Sequence, residues 1–243
     1  MPPPSPTYRK INRHLGRAIH RHDMLGDGDR ILVGLSGGKD SLALMWFLTE
    51  RLRRVRITYD LTAVYLDPGF EGGFGDRLES YCRTAGYRLR MEQTDYGVRA
   101  HSDENRENPC FLCAWKRRKR LFEIAAELGC RKLALGHNKD DIIETLFMNM
   151  CYAGEISTMM PYQPLFEGRF TVIRPLAYVD EGLIRRFAAE QEFPDFVNPC
   201  PSAAVSKRRV VKDLLQRLYT SNDKIKGNIF RSLSRVRTDY LFT

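Results

Sequence analysis

The chain has 243 residues, with 39 Lys and Arg against 30 Asp and Glu for a formal charge of +9, and is 43% hydrophobic. A chain of that length and apolar content can bury a sizeable core, which excludes disorder throughout, and no apolar run reaches the ~18 residues of a membrane helix. The opening MPPPSPTYRK lacks the apolar stretch of a secretory leader, so the expected compartment is the cytoplasm, with no membrane partner.

Residues 1–29 read as a basic N-terminal arm outside the core, with a helix from Thr7 to about His22 carrying Arg9, Lys10, Arg13, Arg17 and Arg21. From Arg30 a short apolar run, Ile-Leu-Val-Gly-Leu, ends in Ser-Gly-Gly before helix-period Leu42, Leu44, Met45, Phe47 and Leu48, predicting strand, tight turn and helix. A second strand lies within Ile57–Asp67 and a helix over Asp76–Ala85. A third strand covers Tyr87–Gln93, and 94–109 is a polar loop. A helix from about Leu112 to Leu128 stops at Gly129. Arg131–Gly136 is a fourth strand, Asn138–Tyr152 a helix, 153–169 irregular, Phe170–Pro175 a fifth strand and Glu181–Gln191 a helix. This alternation predicts an α/β fold with a doubly wound, mostly parallel, Rossmann-like sheet over residues 30–200, whose ligands bind beyond the carboxyl ends of the strands. Residues 201–243 are expected to form a basic helical extension. They hold ten cations and three acids, which is +7 of the +9. With the run Lys116-Arg117-Arg118-Lys119-Arg120, they suggest a polyanion such as nucleic acid as partner, a solvated helix face being the alternative.

Ser36-Gly37-Gly38-Lys39-Asp40-Ser41 joins the first strand to the first core helix. Two glycines let backbone N–H groups turn inward at a helix N-terminus, the serines donate hydroxyls, Lys39 adds a cation and Asp40 can hold Mg²⁺ or cap the helix. The hexapeptide is neither the Walker loop nor Gly-x-Gly-x-x-Gly. Cys110-x₂-Cys113 opens a helix, and Cys200 lies in Asn198-Pro199-Cys200-Pro201. A redox pair, a zinc site with His101 or His137, and a three-cysteine iron–sulfur cluster with one iron open are the competing readings. Cys82, Cys130 and Cys151 fit as small buried hydrophobes. After the fourth strand, Gly136-His137-Asn138-Lys139-Asp140-Asp141 puts two carboxylates at a helix N-terminus, where they could cap it or bind Mg²⁺ beside a triphosphate. Asp67, ending the second strand, is a weaker candidate for contact with adenosine.

Ser36–Ser41 resembles the pyrophosphatase loop of the N-type ATP pyrophosphatase (PP-loop) superfamily, of the adenine nucleotide alpha hydrolase-like fold. Together with Cys110-x₂-Cys113 and Gly136–Asp141 followed by Glu144-Thr145-Leu146-Phe147-Met148-Asn149-Met150, it is similar to the tRNA-cytidine 2-sulfurtransferase (TtcA-like) family. It is also similar to the related tRNA-uridine thiolases. The resemblance covers roughly residues 30–200. It implies ATP with Mg²⁺ bound by Ser36, Gly37, Gly38, Lys39, Asp40 and Ser41, with Asp67 and Gly136 nearby. It also implies a [4Fe–4S] cluster on Cys110, Cys113 and, by order, Cys200. Family members commonly carry a second C-x₂-C where this chain has only Cys200 followed by Pro201-Ser202-Ala203.

The implied reaction adenylates the C2 carbonyl of a tRNA pyrimidine, most simply cytidine, because an amide-like oxygen leaves poorly and AMP leaves well. Sulfur carried by the cluster then replaces it. Asp40, Asp140, Asp141 and Arg117 are the candidate catalytic residues, stabilising charge on the phosphates. The partners implied are tRNA, a sulfur donor (sulfide or a cysteine desulfurase) and a second copy in a homodimer. The alternatives are a PP-loop enzyme with an amine nucleophile, as in lysidine synthetases and amidotransferases, a tRNA-uridine 2-thiolase, and a nucleotide-sensing RNA-binding protein.

Overall fold

The computed structural model describes residues 5–203 and 207–240. In chain order the elements are α1 (Pro6–Arg21), β1 (Asp29–Leu35), α2 (Lys39–Leu52), β2 (Tyr59–Asp67), α3 (Gly75–Thr84), β3 (Leu89–Gln93), α4 (Tyr96–Ala100), α5 (Pro109–Glu127), β4 (Lys132–Leu135), α6 (Lys139–Tyr152), β5 (Tyr162–Leu165), β6 (Phe170–Ile173), α7 (Glu181–Glu190), α8 (Lys207–Ser221) and α9 (Ile225–Ser232). Two compact units result, one of Met1–Asn138 with Pro161–Ala203 and one of Lys139–Met160 with Ala204–Thr243. Among the described residues no helix is long and apolar enough to cross a membrane.

The first unit holds a six-stranded sheet in the order β3-β2-β1-β4-β6-β5. Every pairing is parallel except β5 with β6. The mostly parallel α/β sheet is the one the alternating pattern predicts. Strands covered by helices on both faces must be apolar nearly throughout. Ile31, Leu32 and Val33 of β1 are fully buried, as are Ala63, Val64, Tyr65 and Leu66 of β2 to within 2%. One face packs on α1, α2, α3 and α7, the other on α5. The chain builds outward from β1 through β2 to β3, then crosses to β4 on the other side of β1. The strand order therefore reverses between β1 and β4, where an open α/β sheet leaves a crevice at its carboxyl edge.

The N-terminal segment corrects one expectation. Helix α1 is not an arm outside the core, because Ile11, Leu15, Ala18 and Ile19 are buried in the main hydrophobic cluster. Its five arginines and lysines occupy the opposite face of an amphipathic helix. Ser5 caps it by accepting from the Tyr8 N–H at 3.0 Å, and Ser5 and Thr7 donate hydroxyl hydrogens to Glu190 at the end of α7. Two further elements occupy stretches expected to be irregular. Helix α4 lies inside the polar 94–109 loop, and β5 forms a hairpin with β6 through a turn in which Phe166 and Glu167 both take positive φ.

The second unit is helical. Ile143 of α6 packs with Val211 and Leu215 of α8, with Phe147, Tyr219, Ile229 and Phe230 around them.

Candidate active site

The loop 36–41 starts at the carboxyl end of β1, at the reversal point of the sheet. Gly37 has φ +77°, and a Cβ there would lie 2.5 Å from the Phe74 ring. Serine hydroxyls brace the turn from within. The Ser36 N–H donates to Ser41 Oγ at 3.1 Å, and Ser41 Oγ donates to the Gly38 carbonyl at 2.9 Å. Backbone N–H groups at the start of α2 are thus held on a fixed curve, as a phosphate cradle requires.

Lys39 bridges Asp40 at 2.8 Å and Glu181, on the first turn of α7, at 2.9 Å. Desolvation works to lower its ammonium pKa, but the two carboxylates hold it above the ordinary value. Asp40 also accepts from Asn138 Nδ2 at 3.0 Å. Asn138 is 3% exposed, so it acts as a buried strut that aims the carboxylate. Neither Glu181 nor Asn138 stood out as a site residue in the sequence, although Asn138 sits inside the Gly136–Asp141 motif.

A cavity of ≈ 270 Å³ opens at this point, lined by Ser36, Asp40, Ser41, Gly136, His137 and Arg117 among others. Gly136 permits the close approach of β4 to the loop, since a Cβ there would stand 2.9 Å from the Ser41 nitrogen and 3.0 Å from the Asp40 carbonyl. A second cavity of ≈ 300 Å³ lies off the ends of β2 and β3, with Asp67, Phe70, Asp76, Met91 and Thr94 in its wall. Burial, then the Asp67 carboxylate, pushes the Tyr65 hydroxyl up to about 12, with Arg117 opposing.

Arg117 belongs to α5, whose first turn carries the cysteine pair. Asn108 caps that helix, its Oδ1 accepting from the Cys110 N–H at 3.0 Å and from the Phe111 N–H at 3.3 Å. Cys200 sits in a matching turn, where Asn198 Oδ1 accepts from the Cys200 N–H at 3.1 Å. The two Asn-Pro-Cys segments therefore use the same local device, a side-chain turn that fixes the cysteine backbone. His101, at the end of α4, ties the second segment down. Its Nδ1 bonds the Gly97 carbonyl at 2.8 Å and its Nε2 bonds Ser202 Oγ at 2.6 Å. Both ring nitrogens are engaged, and His137 Nδ1 accepts from Arg174 at 3.3 Å, so neither histidine is set out as the fourth ligand of a zinc site.

Burial raises the Cys113 thiol pKa, Arg117 opposes, and Cys200 and Cys110 push it further up. That places both cysteines within electrostatic reach of Cys113. All three are free thiols. Among the described residues no three His, Cys, Asp or Glu side chains are gathered closely enough to hold a single metal ion. Cys82 and Cys130 are buried as expected, whereas Cys151 is exposed on the last turn of α6.

The basic run of α5 divides by role. Arg117 lines the loop cavity, while Arg120 is committed to Glu92 at 2.7 Å, Glu127 at 2.9 Å and Glu123 at 3.0 Å, which raise its pKa. In the second unit, Asp140 and Asp141 lie on the first turn of α6, paired with Lys226 at 2.6 Å and Arg208 at 3.4 Å. Glu144, one turn on, is 5% exposed. Burial and then Asp141 push its carboxyl up to about 7 against Lys212 and Arg208. Three cations of the C-terminal segment are thereby occupied by carboxylates of their own chain.

A reversing parallel sheet with a Ser-Gly-Gly-Lys-Asp-Ser cradle at its switch point defines a PP-loop protein, and the family described as PP-loop domain matches residues 7–209. The chain is 39% identical over 237 residues to the tRNA-cytidine(32) 2-sulfurtransferase of Geobacter sulfurreducens, covering 96% of this chain and 92% of that one. It is also 39% identical to that of Sorangium cellulosum, covering 96% and 83%. It belongs to the PP-loop family of tRNA-cytidine(32) 2-sulfurtransferases. Among solved structures it is similar to the U34-tRNA thiolase NcsA from Methanococcus maripaludis with its [4Fe–4S] cluster. There the TM-score is 0.79 and the identity 26%, over 97% of this chain and 80% of that one. The NH3-dependent NAD synthetase of Campylobacter jejuni shares the fold, at TM-score 0.53 and 15% identity.

Proposed function

We propose that this protein is an ATP-dependent tRNA 2-sulfurtransferase that adenylates the C2 carbonyl oxygen of a tRNA cytidine and replaces it with sulfur. One observation carries the reading. A single helix, α5, bears Cys110 and Cys113 on its first turn and, one turn later, Arg117 in the wall of the cavity formed by the Ser36–Ser41 loop. Cysteine chemistry and nucleotide chemistry are thereby held about 6 Å apart along one rod.

In this reading the N–H groups of Gly37, Gly38 and Lys39, with the Ser36 and Ser41 hydroxyls, bind the β- and γ-phosphates. Asp40, aimed by Asn138, would hold Mg²⁺ beside them. Gly136 keeps the cavity floor open. Asp67 lies at the adenosine end, by the second cavity. Arg117 neutralises charge on the α-phosphate as the carbonyl oxygen attacks and pyrophosphate leaves. Cys110, Cys113 and Cys200 are the residues that would hold a [4Fe–4S] cluster: all three are free thiols, Cys110 and Cys200 lie within electrostatic reach of Cys113, and Asn108 and Asn198 fix the Cys110 and Cys200 backbones. Bound there, the cluster would supply an iron without a protein thiolate, able to carry sulfide from free sulfide or a cysteine desulfurase. The domain roles read as a PP-loop unit that includes α1, with the basic face of α1 and, separately, the cations of α8 and α9 available to tRNA, working in the cytoplasm as a homodimer.

The test is pyrophosphate release from ATP and Mg²⁺ on adding unmodified tRNA to anaerobically purified protein, followed by nucleoside mass spectrometry. Formation of 2-thiocytidine is expected. Cluster-loaded protein that releases no pyrophosphate refutes the reading, and 2-thiouridine as product would move it to the uridine branch.

A further inference from the structure

We infer that the exposed face of α5 is a stacking platform for unpaired bases of the RNA substrate, with Phe111 and Trp115 as its two rings. The inference rests on the thiolase reading for the identity of the RNA and on separate observations for the surface itself.

Large apolar side chains are normally covered, yet Phe111 is 63% exposed and Trp115 50%. They are four residues apart on one helix, so they share a face. The same face continues into Arg118 and Lys119, both exposed, giving a stripe of two rings and then two cations about 12 Å long. Lys119 Nζ lies 5.9 Å from the centroid of the Trp115 ring, and Lys116 Nζ stands 5.9 Å from that of Tyr96 on α4. Cys110 is exposed beside Phe111. From Pro109 to Phe122 the helix carries five cations and no acid.

The chemistry of that stripe selects its occupant. Open aromatic faces interleaved with Lys and Arg suit single-stranded nucleic acid, whose bases offer π surfaces and whose phosphates offer charge. A duplex hides its base faces. A second copy related by two-fold symmetry would set this cationic stripe against itself. An unstacked nucleotide held on Phe111 and Trp115 lies beside the cysteines, where a base that must leave its stack for chemistry at C2 is needed.

The experiment uses the full-length protein and an unmodified tRNA transcript, measuring Kd across a salt series. Trp115→Ala is expected to weaken binding about 5- to 100-fold without changing the slope of log K against log salt, since stacking displaces no counterions. Lys119→Ala should weaken binding and reduce that slope by about 1, and Trp115→Phe, which keeps a ring, should retain most of the affinity. The chain has two tryptophans, Trp46 and Trp115. A loop oligonucleotide should therefore quench the intrinsic fluorescence, its annealed duplex should not, and the quench should vanish in Trp115→Phe. Wild-type affinity in both Phe111→Ala and Trp115→Ala overturns the platform. So does conversion of a dimer to monomers with tRNA affinity intact, which would assign the face to a second copy. If tRNA binds through Trp115 but elicits no pyrophosphate, the thiolase reading fails and the platform stands. If pyrophosphate is released and both Ala variants bind normally, the reverse holds.

Discussion

Replacing Gly136 by Ala probes the contact on which the nucleotide cavity depends. The added methyl would stand 2.9 Å from the Ser41 nitrogen and 3.0 Å from the Asp40 carbonyl, where ordinary contact begins near 3.4 Å. Both neighbours are backbone at the first turn of α2, so no side chain can rotate away, and strand and helix must part by about 0.5 Å. Overpacking of this kind costs about 1–3 kcal/mol. For a chain of this length that lowers the melting temperature by about 2–12 °C. The functional loss is separate, because the phosphate-facing N–H groups move with the helix. Scaling from a ~100-fold penalty for a ~1 Å misplacement gives roughly a tenfold loss in nucleotide-dependent turnover. Thermal melts with and without ATP, alongside a pyrophosphate assay, read both quantities. Gly182→Ala is the control, since it sits at an exposed position of α7 with no atom within 4 Å of its added Cβ, and it should stabilise by about 0.5–1 kcal/mol. A Gly136→Ala protein that melts and turns over like the parent would show that the approach of β4 to the loop is slack, and the geometric account of the cavity would fall.

Glu144→Gln should have a pH-dependent effect. A carboxyl raised from about 4.5 to about 7 on folding contributes stability that is present below pH 4.5 and is lost as pH rises through 7. Gln mimics its neutral form, so the variant should match the parent near pH 4.5 in urea melts and exceed it by about 3 kcal/mol near pH 8.5, and a gain independent of pH would contradict this. Asn198→Ala removes the acceptor for the Cys200 N–H, so iron per protein after anaerobic reconstitution should fall while the melting temperature of the iron-free protein drops by only a few degrees. Unchanged iron content would show that Cys200 needs no such turn. Arg117→Ala should lower kcat for tRNA-dependent pyrophosphate release by about 100-fold with the iron content intact, and equal loss of iron would make it a structural partner of the cysteines instead.

Legibility in the sequence followed the physics of each segment. β1, β2 and β4 were readable because two-sided burial leaves continuous apolar runs ending at Gly or Pro. The phosphate loop was readable because few residue types tolerate its geometry. α1 misled because its cations dominate the composition, while the stripe Ile11, Leu15, Ala18 and Ile19 that places it in the core is sparse. β5 gave no signal because its hairpin turns on Phe166 and Glu167 in positive φ, where Asn-Gly would be the usual sign. Within the site, Asn138 and Glu181 act through Asp40 and Lys39, and such second partners depend on tertiary distance, which no spacing rule encodes. The sequence leaves His101 open as a metal ligand, yet in the fold it fastens Ser202, 101 residues away.

Between Cys110 and Glu127, α5 contains neither glycine nor proline, so it has no hinge. Cys113 and Arg117 therefore keep a fixed angular relation, four residues apart on an unbroken stretch of helix. A one-residue insertion between Cys113 and Arg117 would swing the arginine by about 100° around the axis and separate two chemistries that the intact rod keeps in phase.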